Sequence, residues 1–240
     1  MTKSLSCGFV ALAIAAAAGS AFAAGDISTV NSVKVEERIY NDFAGTTLTT
    51  TNNYPALVEF NEQFAQGEPG NFANKHVAWL SNDGGATRFS NNYWQSWTIT
   101  FTYKMETAGN NGSPRKEGGL EIHNPRPQSY PTYGDEGQLL IASDGEVAMF
   151  GAAMPFIGFG NVYTLGTTAT VSLSYFAPGS VDPTFGGLRL VFTDAVTGAH
   201  DSGFKVWGNE TDHTFGLNDG TNIGFKDQNQ RNPFIADGVN

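Results

Sequence analysis

The residues of this chain best suited to chemistry lie between Lys116 and Phe150, in KEGGLEIHNPRPQSYPTYGDEGQLLIASDGEVAMF. Here carboxylates, a histidine and a tyrosine/proline loop fall between strand-like runs. Successive side chains of an extended chain point to opposite faces. Leu120 and Ile122 are therefore expected in a core, with Glu117, Glu121 and His123 on the opposite face. Glu121, His123 and Glu146 are the candidates for acid/base work. A retaining glycosidase needs two carboxyl groups about 5 to 5.5 Å apart. Glu117 and Glu121 lie two strand repeats apart on one face, about 13 to 14 Å in a regular strand, too far for either glycosidase mechanism. Hydrolysis would need its second carboxylate from another strand, with Asp144 and Glu146 as candidates. A lyase would instead use His123 as a base toward a sugar C–H, with a cation or amide neutralising the sugar carboxylate.

Binding without turnover asks for flat rings beside amides and carboxylates, because sugars stack their C–H faces on aromatic rings and hydrogen-bond through their hydroxyls. Tyr93-Trp94-Gln95-Ser96-Trp97 and Tyr130-Pro131-Thr132-Tyr133 supply such rings. Trp97 continues a buried strand face and belongs to the core. The ligand-binding candidates are Trp94, Glu121, His123, Arg126, Tyr130 and Tyr133. For metals, the four histidines form no HExxH string and no close pair, so a histidine-based zinc site would need ligands from distant strands. No cofactor is expected. Calcium is the one cation that the Asp-Gly turns would suit, at Asp83 and Asp219, although such turns commonly serve only to turn the chain.

The elements that must position these groups are strands. The chain contains 29 glycines and 18 phenylalanines, with abundant Thr and Asn and no long apolar repeat at helical spacing. Trp97 to Met105 (WTITFTYKM) carries an apolar residue at every odd position and Thr or Lys at every even one, the period of a half-buried strand. The Thr-rich run of Thr46 to Asn53 reads as an exposed edge. Met154 to Gly160, broken by Pro and Gly, reads as a loop or bulged segment. After Asn218-Asp219-Gly220-Thr221 the sequence turns polar, and no last strand is expected. The fold class is all-β, a two-sheet antiparallel jelly-roll sandwich forming a single domain over residues 24–240.

Residues 1–23 read as a cleaved secretory signal peptide. Lys3 precedes an apolar run too short to span a bilayer, and Gly19-Ser20-Ala21-Phe22-Ala23 ends in a small-x-small cleavage pattern. The expected location is secreted or periplasmic, without membrane insertion. Cleavage would remove the single cysteine, Cys7, and with it thiol catalysis and Cys-based metal sites. The net charge of -10 argues against nucleic acid and anionic membranes as partners. A neutral glycan is electrostatically easier.

The strand count, the Asp-Gly hairpins and segments such as EERIYNDF, GGLEIHNPR and SDGEVAMFG resemble the concanavalin A-like lectins and glucanases, over most of residues 33–225. The resemblance implies a glycan-facing groove on the concave sheet. The alginate lyases of that fold carry a Q-[IV]-H strand, which Glu121-Ile122-His123 resembles with Glu in place of Gln. Their Y-x-K-x-G string is only echoed by Tyr175 to Gly179, with Ala177 in place of Lys, and a carboxylate at Glu121 would repel a uronate. Three readings stand. The first is a carbohydrate-binding, lectin-like protein whose partner is a polysaccharide or glycan. The second is a glycoside hydrolase or polysaccharide lyase using His123 with Glu121 or Glu146. The third is a non-catalytic surface or matrix structural protein.

Overall fold

The computed structural model describes residues 5–15, 26–40, 47–63, 73–106, 115–124, 136–152, 154–207, 217 and 220–230. The strands are β1 (Leu5–Ala15), β2 (Ser32–Glu36), β3 (Thr47–Asn53), β4 (Leu57–Gln63), β5 (Ala73–Ser81), β6 (Trp97–Met105), β7 (Arg115–His123) and β8 (Glu136–Ala142). They continue with β9 (Glu146–Gly151), β10 (Ile157–Asn161), β11 (Ala169–Phe176), β12 (Gly187–Asp194), β13 (Gly198–Asp201), β14 (Lys205–Val206) and β15 (Asn222–Gln230). Ile27–Thr29 forms a 3-10 turn, and no described helix is long and apolar enough to cross a membrane.

Pairing is antiparallel throughout the described strands and builds two sheets. The eight-stranded sheet runs β13-β12-β11-β6-β1-β4-β3 with β14 beside β12, and the seven-stranded sheet runs β10-β9-β8-β7-β15-β5-β2. The alternation in Trp97–Met105 becomes β6, with every odd residue buried. Tyr103 and Phe101 point from it toward the other sheet. Phe101 meets Phe225 of β15 edge-on at 5.3 Å between ring centroids, and the Tyr103 hydroxyl donates to the Ile141 carbonyl of β8 at 3.5 Å. Ile99, Leu120, Ile122, Leu139, Leu173 and Phe225 share one apolar cluster that draws on both sheets. The Thr-rich run forms the edge strand β3. Leu5–Ala15, from the apolar run of the expected leader, pairs with β4 on one side and β6 on the other.

One expectation needs correction. Asn222–Gln230 is a strand, set between β7 and β5 in the middle of its sheet. Its inward residues are Ile223 and Phe225 and then Asp227 and Asn229, all buried, so the apolar alternation that betrays β6 stops halfway along β15. The polar half is what makes β15 important below. The segment expected as a loop or bulge after Met154 holds the edge strand β10, with a register shift between Gly158 and Gly160.

Asp194, at the end of β12, ties the β10–β11 connection to the β12–β13 turn. Its Oδ1 accepts from Val196 N, Thr197 N and the Thr164 hydroxyl at 2.8, 3.1 and 3.0 Å, and its Oδ2 accepts from the Thr167 hydroxyl at 2.6 Å and Thr164 N at 3.2 Å. Burial alone would raise its pKa, but these donors outweigh burial and hold it at about 2. Asparagine would turn an N–H toward N–H donors, so Asp194→Asn should lower stability by about 2 kcal/mol. The folded-state pKa lies below the unfolded value of about 4, so this contribution is complete above about pH 4 and is lost as pH falls toward about 2. Urea midpoints of the native chain and the variant should therefore converge over that window, and parallel profiles would contradict this role.

Candidate functional site

On the face of the seven-stranded sheet turned away from Leu120 and Ile122, strand register gathers charged and amide side chains. Cross-strand pairing sets Glu121 of β7 beside Gln138 of β8, Glu117 beside Gln228 of β15, and Gly119 beside Lys226. Phe150 of β9 follows beyond Gln138. From β5 comes Lys75, whose backbone carbonyl accepts from Ile39 N at 2.9 Å and so draws the Arg38–Tyr40 segment over the sheet. The result is a cavity of about 340 Å³ lined by Tyr40, Lys75, Glu121, Glu136, Gly137, Gln138, Phe150, Lys226 and Gln228. This lies at the small end of the roughly 300–1,000 Å³ of ligand pockets.

Its floor is an ion network. Lys75 Nζ donates to Glu121 Oε1 at 2.6 Å and to Glu136 Oε2 at 3.2 Å. Lys226 Nζ donates to Gln138 Oε1 and stands 3.9 Å from Glu117 Oε2 and 4.0 Å from Glu121 Oε2. Lys226, Glu121 and Glu117 are all buried, while the Glu136 side chain stays open to solvent. Burial pushes the Glu121 carboxyl up, against the pull of Lys75 and then Lys226. Burial likewise disfavours the Lys75 ammonium, but Glu121 and Glu136 overcome it and raise its pKa. Burial wins at Lys226, which is lowered. Two buried carboxylates, Glu117 and Glu121, thus face two ammonium groups in a region nearly closed to water, where the charges balance, and Glu136 adds a solvent-open carboxylate at the edge. The rim offers the Glu136 carboxylate, the amides of Gln138 and Gln228, and the rings of Tyr40 and Phe150.

Further along the same face, Trp79 Nε1 donates to Glu36 Oε2 at 3.1 Å. The Arg88 guanidinium lies 4.0 Å over the Trp79 ring and also binds Glu36. That ring face is covered and offers no stacking platform.

Among the candidates read from sequence, Glu121 lines the cavity. His123 is on the same strand and face two residues on, paired across the sheet with Glu136 and Asn222, and does not line the cavity. Glu146 belongs to β9 four residues before Phe150, about 13 to 14 Å along a regular strand, at the other end of the face. Trp94 is 66% exposed, between β5 and β6, with Tyr93 packed edge-on at 4.7 Å. The Asp83 oxygens are engaged within their own turn: Oδ1 accepts from the Ser81 hydroxyl, Ala86 N and Thr87 N, and Oδ2 from the Thr87 hydroxyl. Arg126, Tyr130, Tyr133 and Asp219 lie outside the described residues.

Sequence reasoning missed Tyr40, Lys75, Glu136, Gln138, Phe150, Lys226 and Gln228. The signal that could have found two of them is a single lysine set inside an otherwise strand-like run, in ANKHVAWLS and in NIGFKDQNQ. No protein-family model, no curated protein and no solved structure matches this chain.

Proposed function

We propose that this chain is an exported carbohydrate-binding protein of the concanavalin A-like type, its two sheets stacked as a jelly-roll sandwich. In this reading the glycan is held in the cavity on the outer face of the seven-stranded sheet. The observation that carries it is the lining itself. Two rings, Tyr40 and Phe150, flank a rim of amides and a carboxylate above a floor of balanced charges. Such a site suits a neutral polyhydroxylated ligand. Hydroxyls pair with the Gln138, Gln228 and Glu136 groups, C–H faces lie on the rings, and no net charge has to be stripped of water. The proximity of Glu121 and Glu136, which share the Lys75 ammonium, is the one feature that favours hydrolysis as a second reading.

Residues 1–23 act in this reading as the export leader. Their removal would take β1 from between β4 and β6, so the mass of the exported chain, with or without those residues, tests that part.

The experiment is a glycan-array screen of the purified chain with and without calcium, followed by incubation of each hit and assay for new reducing ends or unsaturated uronate. Binding without cleavage is the expected result. Phe150→Ala and Tyr40→Ala should weaken the best hit at least tenfold, equivalent to about 1.4 kcal/mol, because each removes a ring and leaves the ion network in place. Unchanged affinity in both would move the site elsewhere. Silence on the array would favour the structural-protein reading, and cleavage the enzyme.

A further inference from the structure

Directly behind the cavity, on the core side of the same strands, a second polar cluster lies between the two sheets. Glu62 comes from β4 of the eight-stranded sheet, His76 from β5, and Asp227 and Asn229 from β15. Their exposures are 1%, 0%, 2% and 2%. One donor atom from each of Glu62, His76 and Asp227 lies within 4.8 Å of the other two. His76 Nε2 is 3.5 Å from Glu62 Oε2, and Asn229 Nδ2 donates to the same oxygen at 2.5 Å. Among the described residues, His76 Nε2, Asp227 Oδ1 and Asn229 Oδ1 have no hydrogen-bond partner. Burial raises the Asp227 carboxyl, against the pull of His76 and then Lys116 and Lys226.

Buried polar atoms are nearly always partnered, and each exception asks for a reason. Two carboxylates and an imidazole also converge there with almost no water, and a cation shared between them would satisfy all three. The 3.5 Å separation of His76 Nε2 and Glu62 Oε2 is long for a hydrogen bond. It matches the edge between two ligands on one tetrahedral zinc ion, about 3.4 Å for bonds of 2.0 to 2.1 Å. We propose that Glu62, His76 and Asp227, with Asn229 Oδ1 as the fourth donor, form a structural site for a divalent transition metal of the zinc type that pins the two sheets together. A mixed imidazole and carboxylate set with a carboxamide oxygen suits zinc or manganese better than calcium, whose sites are built from oxygen alone.

Loading the site has a consequence for the Arg38 segment. Arg38 N donates to His76 Nδ1 at 3.0 Å, which puts the imidazole proton on Nε2 while no metal is bound. A metal on Nε2 displaces that proton. A neutral imidazole then carries it on Nδ1, facing the Arg38 N–H, and the Arg38 backbone, held at φ 53°, has to swing away. Tyr40, two residues on, lines the cavity.

The test is calorimetric titration of Zn²⁺ into the EDTA-treated full chain, with Mn²⁺ and Ca²⁺ as comparisons, alongside Glu62→Gln and Asp227→Asn. Expected are one zinc per chain, a higher melting temperature, and affinity reduced more than tenfold in each variant. The same titration followed by ¹⁵N NMR should show His76 Nε2 moving to the metal-bound range and the Arg38 amide shifting. Both substitutions keep side-chain size, and each variant's metal-free melting curve shows whether it is folded before its zinc affinity is compared. If one fails to fold, the other and the His76 signal still decide. No zinc uptake by the native chain, uptake unchanged in the folded variants, or zinc bound with His76 unmoved would each overturn the proposal.

Discussion

Glu121→Ala should lower the stability of this chain by about 3 kcal/mol, the low end of the range for breaking a buried ion pair from one side. The loss comes from what stays behind. Among the described residues, Lys226, buried and already disfavoured as a cation, would keep the Gln138 carbonyl, the Glu117 carboxylate at 3.9 Å and the charge of Asp227, and Lys75 would keep the solvent-open Glu136. Glu121→Leu combined with Lys226→Met should be less destabilised than Glu121→Ala, since it removes a charge of each sign and fills the space. Urea unfolding of the three proteins gives the comparison. A loss under about 1 kcal/mol for Glu121→Ala would mean that the network is solvated and the cavity floor wetter than described. This also makes Glu121 a poor probe of ligand binding, because its loss would register as weakened binding through folding alone.

Gly119→Ala should be at least as damaging, costing more than about 3 kcal/mol. Gly119 has φ +122°, a conformation that L residues rarely adopt, and a Cβ there would run into the Leu139 carbonyl of the neighbouring strand. Relief would require opening the β7–β8 ladder, which sets Glu121 against Gln138. The preceding Gly118 has a different constraint. The Tyr103 ring from β6 lies where its side chain would go, so Gly118→Ala tests the packing between sheets and Gly119→Ala tests the backbone. Circular dichroism melts separate them: Gly119→Ala should fail to give a cooperative native transition at 37 °C, and a melt close to native would contradict the strain argument.

Where one face is apolar and the other polar, the sequence announces the structure. β6 alternates without a break, and in β7 Leu120 and Ile122 turn to the core while Glu121 faces the opposite side, as the period of two requires. The same rule hides β15. Beyond Phe225 its inward positions are Asp227 and Asn229, and its outward positions are the buried Lys226 and Gln228, so both faces read as polar surface. Nothing in the chain-local pattern says that these groups meet partners from β4, β5, β7 and β8, which lie far away in sequence. Tyr40 was invisible for a related reason. Its place over the sheet depends on the Ile39 N–H reaching the Lys75 carbonyl, a contact that no spacing in the sequence encodes. Glu121 was legible because its own strand sufficed to define its face. Its partner Lys75 was not, because register between β5, β15 and β7 is a property of the folded sheet.

The most direct test of the central claim is calorimetric titration of the best array glycan into the native chain and Phe150→Ala side by side, with near-ultraviolet circular dichroism confirming that both are folded. The cavity reading predicts saturable binding to the native chain at one glycan per chain and at least tenfold weaker binding to Phe150→Ala. Equal affinity in the two folded proteins would place any glycan site off this face and contradict the account.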